Sequence, residues 1–99
     1  MQRLQTWVAL HPRDAQAWQL LSAAYGAQGQ GLRAIRADAE AQVARLDYQA
    51  ALDRFKAAQG LMRSNPGSAD YVEGSILDTR TRQTESLIKE QALQDKIDH

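Results

Sequence analysis

Residues 18–29 read WQLLSAAYGAQG. Trp18, Leu21, Ser22 and Tyr25 stand at offsets 0, 3, 4 and 7, and Gly29 follows the tyrosine by four. This spacing puts two rings, a leucine and a small residue on one face of a helix. None of them carries chemistry in this setting, because no base activates the serine and no metal ligand stands beside it. The stretch acts by shape. Large rings fill the gap inside a helical hairpin, small residues let two backbones approach, and glycine turns the chain.

Outward from this stretch, the pattern predicts a helix from Ala15 to Gln28, capped by Asp14 and ended by Gly29-Gln30-Gly31. Before it, Leu4, Trp7 and Val8 mark one face of a helix that stops at His11-Pro12. After it, residues 32–45 carry two apolar stripes. Ala34, Ala37, Ala41 and Ala44 form a smooth one; Leu32, Ile35, Ala39, Val43 and Leu46 form a bulkier one. Two stripes are expected where neighbours pack on both sides. Asp47 caps a fourth helix from Tyr48 to about Met62, with Leu52, Phe55 and Leu61 as its larger apolar groups. The SNPGS segment at 64–68 breaks the chain. The final helix begins at DYVE, where Asp70 and Glu73 have capping-box spacing and Tyr71, Val72, Ile76 and Leu77 form an apolar face. From Asp78 to Ser86 the apolar signal nearly vanishes. There the i,i+4 pairs Asp78–Arg82 and Glu85–Lys89 are expected to sustain the helix, with its second half projecting or fraying.

The fold class is all-α. Trp18-x-x-Leu21-Ser22-x-x-Tyr25, followed by Gly29, Ala34 and Ala41, resembles the tetratricopeptide-repeat pattern, with serine in place of glycine. Ala51, Phe55 and Ala58 resemble its second helix, and counting back from them places a repeat start near Leu32. That is 17 residues after Ala15, half the usual period of about 34. The expected architecture is a right-handed α-α superhelix of about five helices. Residues 1–12 would be the second helix of a truncated repeat, 14–45 a repeat hairpin, 32–63 an overlapping half-repeat hairpin, and 68–97 a capping helix.

Twelve basic and twelve acidic side chains cancel, so the composition offers no field for nucleic acid. No apolar run approaches the roughly 20 residues a bilayer span needs. There is no cysteine, and the two histidines, His11 and His99, have no second ligand at metal spacing. No HExxH, GxSxG or phosphate-binding glycine loop is present. A non-enzymatic chain with no cofactor of its own is expected.

The order of these pieces resembles the C-terminal tetratricopeptide domain of periplasmic zinc metallopeptidases related to the β-barrel assembly-enhancing protease. The resemblance lies in AWQLLSAAYGAQGQ (17–30), the half-repeat ADAEAQVARLDYQAAL (37–52) and the final helix YVEGSILDTRTRQ (71–83). Asp38 stands where the repeat has a large apolar group, and Leu46 where it has a turn glycine. The resemblance implies a periplasmic location, zinc confined to a separate catalytic domain, and a protein-interaction role toward outer-membrane β-barrel precursors or their assembly machinery. A free-standing scaffold and an autoregulatory domain of the protease are the alternatives.

Repeats of this kind line a groove with the first helix of each hairpin. Here the groove positions are Gln16, Gln19, Ala23 and Gly26, then Arg33, Arg36, Glu40 and Val43. Such a surface suits an extended peptide or a carboxylate held by Arg33 and Arg36. The alternative is a solvated face with Arg36 and Glu40 as an ordinary i,i+4 pair. Trp18 and Tyr25 are expected in the core. Leu4 and Trp7 mark an apolar end face through which a second copy could pair.

Overall fold

A computed structural model describes residues 2–64 and 71–98, which form five α-helices and no strand. They are α1 (Gln2–Leu10), α2 (Ala15–Ala27), α3 (Gly31–Ala44), α4 (Tyr48–Ser64) and α5 (Tyr71–Asp98). Consecutive helices pack on one another in chain order. α3 also meets α5 across α4, whereas α2 and α4 do not approach. The break expected at 64–68 and the Asp70 half of the capping box fall almost wholly outside the described residues.

The helix starts follow local chemistry. Asp14 Oδ1 accepts from the Ala17 amide at 3.0 Å, and Asp47 Oδ1 from the Ala50 amide at 3.2 Å. Each satisfies an amide that the first turn of a helix leaves unpaired. The ends of α2 and α3 share one geometry. The Gln30 amide reaches the Tyr25 carbonyl and the Gly29 amide that of Gly26, at 2.9 and 3.1 Å. The Asp47 and Leu46 amides reach Gln42 and Val43, both at 2.9 Å. Both ends are Schellman motifs, which require a left-handed residue. Gly29 supplies it in the first with φ +73°, Leu46 in the second with φ +66°.

α3 divides the interior in two. Its Ala37, flanked by partly buried Ala34, packs with Leu21 and Tyr25 of α2 and Val8 of α1. Its Ala39, with Leu32, Ile35 and Val43, packs with Ala51, Phe55 and Ala58 of α4 and Leu77 of α5. The two stripes therefore serve two cores. Ser22 stands at the close approach of α2 to α3 and donates to the Ala34 carbonyl at 2.7 Å, which supplies the polar partner a serine needs there.

Some expected core members lie elsewhere. Trp18 is only half-buried; it packs on the first core and donates its indole N–H to the Pro12 carbonyl at 2.9 Å. Tyr71 and Val72 are exposed, so the apolar face of α5 reduces to half-buried Ile76 and buried Leu77. In compensation, the stretch expected to lose its packing keeps it. Thr81 and Thr84 are buried, with hydroxyls donating to the Leu77 and Arg80 carbonyls at 2.7 Å each. A threonine that returns its hydroxyl to the preceding turn presents a methyl to its neighbour and leaves no polar group unpaired. Asp78 accepts from Gln59 of α4 at 2.9 Å rather than pairing with Arg82.

Candidate interaction surface

The groove positions separate into two groups. Gln16 and Gln19 lie exposed on the outer side of α2, beside exposed Ala23 and Gly26. No atom would meet a Cβ added at Gly26. This strip is uncovered by any other described helix.

On α3 the groove positions are covered by α5. Arg36 donates through Nε to Glu73, whose side chain keeps only 4% of its surface exposed. Arg33 approaches the same carboxylate at 3.6 Å and also donates to Gln30 at 2.8 Å. Four residues further on, Glu40 accepts two bonds from Arg80, Nε at 2.8 Å and Nη2 at 2.6 Å. This is the bidentate fork that suits guanidinium to carboxylate. The Arg80 guanidinium lies 5.8 Å from the centre of the Phe55 ring, within range of a cation–π contact. The i,i+4 pair expected between Arg36 and Glu40 is thus replaced by two pairs that cross to α5. The Arg36 site already holds a carboxylate, supplied by Glu73 of the same chain.

Asp38 stands where the repeat pattern has a large apolar group, and its place explains how the charge is tolerated. It is part-exposed at the α3–α4 boundary and accepts from Arg54 Nε at 2.5 Å. The remaining signature positions are Ala41, Ala51, Phe55 and Ala58, all buried.

Glu73 and Arg80 were not among the expected site residues. The signal for them is faint but present. Glu73, Leu77, Thr81, Thr84 and Ile88 recur at four, four, three and four residues, which is one helical face with polar members.

The α1–α2 corner is the other built feature. Trp7 donates its indole N–H to Asp14 Oδ2 at 2.8 Å, and its ring stands 4.0 Å from that of His11. The Trp7 bond first, and the Ala17 amide second, hold the Asp14 carboxyl below its ordinary range. Trp7, Leu10, His11, Pro12, Arg13 and Asp14 line an open hollow of about 420 Å³ beside it. Trp7 and Leu10 are 45% and 70% exposed, and Leu20 on α2 is 55% exposed. The apolar end face expected from Leu4 and Trp7 therefore exists, with Leu4 itself partly buried.

Among the described residues, no three His, Cys, Asp or Glu side chains converge as a metal site would need, and no buried side-chain N or O lacks a partner. No described helix is long and apolar enough to cross a membrane. The arrangement pairs its buried charges with one another and leaves a polar strip outside. No protein-family model, curated protein or solved structure matches the chain.

Proposed function

We propose that this chain is a non-catalytic protein-interaction module of tetratricopeptide type, and that an extended peptide lies along the outer strip of α2. The observation that carries this reading is the run of exposed Gln16, Gln19, Ala23 and Gly26. Two glutamines can donate to and accept from a peptide backbone, while alanine and glycine leave room for it to come close. On the family resemblance, the parent protein is an exported zinc metallopeptidase. The peptide is then an unfolded outer-membrane β-barrel segment in the periplasm. Zinc belongs to the separate catalytic domain, and no step here runs through it.

The test is titration of the chain with unfolded β-barrel peptides. Ala23→Arg, which fills the strip at an exposed site, should weaken binding about tenfold or more without unfolding the chain. Arg36→Ala is expected to act differently, lowering stability because it removes the nearer of the two guanidinium groups at buried Glu73. Unchanged binding in Ala23→Arg would remove α2 as the binding face.

A further inference from the structure

We propose that the α3–α4 groove beneath α5 is a docking site for an amphipathic helix of a partner protein, and that α5 is its resident occupant, displaced when that helix binds.

The groove has an apolar floor and a charge pattern. Ala39, Phe55 and Ala58 form the floor, with partly buried Ile35 and Val43 packed against them. Arg36 and Glu40 stand one turn apart on α3, and α5 answers them with Glu73 and Arg80. Arg33 lies 3.6 Å from the same Glu73 carboxylate. An occupant therefore needs an acid, an arginine seven residues on, and an apolar residue where Leu77 stands between them. The pattern also fixes direction. A helix laid in reverse would set its acid against Glu40 and its arginine against Arg36, and like charges in a desolvated site carry a heavy penalty.

The resident helix meets this pattern with little else. Among the described residues, Leu77 is the only large apolar side chain that α5 buries fully; its other buried members are Glu73, Thr81 and Thr84. By contrast, α4 buries Leu52 and Phe55 together with two alanines. The ion pairs add little net hold, because opening returns all their charges to water. Each threonine spends its hydroxyl on its own helix and offers the groove only apolar contact. A helix docked in this way opens at a lower free energy than the helices beneath it. Covalent connection raises its effective concentration at the groove, so only a helix of higher intrinsic affinity displaces it. Valine in place of the two threonines gives such a helix, with more apolar area in the same volume.

Hydrogen exchange on the unaltered chain tests the opening. Amides of residues 77–88 should exchange about tenfold or more faster than buried amides of α3 and α4. If all three helices exchange together in one global step, the proposal is overturned. Displacement is tested on the whole chain with a fluorescent synthetic helix. This probe carries Glu, Leu and Arg at i, i+4 and i+7, and Val at i+8 and i+11. Saturable binding is expected. A probe with its acid and base exchanged should bind about tenfold more weakly or worse. Leu77→Ala in the chain loosens the resident helix and should tighten probe binding about tenfold, since apparent affinity follows the open fraction. Ala23→Arg should leave it unchanged. Equal binding of the two probes, or indifference to Leu77→Ala, overturns the proposal. So does loss of binding in Ala23→Arg, which would place the probe on α2. A dimer of the Leu77→Ala chain in sedimentation velocity would assign the groove to a second copy and overturn the partner helix. Because the exchange measurement uses the unaltered chain, it decides the matter even where a variant fails to fold.

Discussion

The two faces of α3 hold their neighbours by different means. Toward α2 the contact is apolar and sets small residues against large ones: Ala34 and Ala37 against Leu21 and Tyr25. Toward α5 it mixes an apolar floor of Ala39, Phe55 and Leu77 with a rim of paired charges, Arg36 to Glu73 and Glu40 to Arg80. The first face gains its stability from area and close approach, which is insensitive to partner identity beyond volume. The second adds desolvated charges, which return little net stability but penalise a wrong partner heavily. Thus α2 is joined to α3 by fit, and α5 is joined to it by fit and by address.

The largest effect expected lies on the apolar face. Tyr25 is 5% exposed and its hydroxyl accepts from Gln5 at 2.8 Å. Tyr25→Ala should cost about 3–5 kcal/mol, as other large-ring truncations in cores do. Trp18, only partly buried, should cost less in Trp18→Ala, because less area returns to water. Urea unfolding of both variants reads the difference. Equal losses would mean that the first core extends to Trp18 in solution.

On the charged face the comparison is between pairs. Glu73→Gln removes the charge that Arg36 is buried against, and should cost about 2–3 kcal/mol. Arg54→Gln, which breaks the part-exposed Asp38 pair, should cost about 1 kcal/mol or less. Glu73→Leu with Arg36→Met should recover most of the first loss, since an apolar pair carries no desolvation penalty. A double variant no better than either single one would show that the pair itself, rather than a stranded charge, stabilises the seam.

What was legible in the sequence follows the same division. The helix starts at Asp14 and Asp47 were visible because a cap is a local event, decided within three residues. The two stripes of α3 were visible because apolar periodicity reports a face directly. The pairing of Arg36 with Glu73 was not, since its partner lies 37 residues away and a charged side chain read alone belongs in water. Thr81 and Thr84 misled for a related reason: a threonine's polarity disappears once its hydroxyl is returned to the backbone. Tyr71 and Val72 erred in the other direction, being apolar by type yet exposed at the start of α5. Of the candidate groove, Gln16 and Gln19 lie on the open side, whereas Arg36 and Glu40 are taken by α5; that outcome depended on a helix whose docking no local pattern encodes.

The two turns sharpen the comparison at smaller scale, because each face of α3 is bounded by one. Both are the same motif with a left-handed residue, glycine in one and leucine in the other. Gly29→Ala should cost about 1 kcal/mol. Leu46→Gly should gain somewhat less, about 0.5–1 kcal/mol, because glycine also frees the unfolded chain. Thermal melts measure both. If Leu46→Gly destabilises, the leucine packs within its own chain and the exposed turn is not its state in solution.

The smallest effect belongs to Asp14, which ties α1 to the apolar face. Its carboxyl is held below its ordinary range by the Trp7 indole and the Ala17 amide. A depressed carboxyl binds its proton less readily folded than unfolded. Its contribution is therefore complete above the unfolded pKa of about 3.9 and is lost as pH falls through the folded value. Asp14→Asn keeps an acceptor for the Ala17 amide but removes the charge. The wild type should melt slightly above this variant near neutral pH, and the gap should close on acidification below pH ~4. The change should coincide with a shift in tryptophan emission as Trp7 loses its ionised partner. A gap that stays constant down to low pH would mean the charge is not what holds the corner, leaving Leu4 and Val8 to dock α1 by area alone.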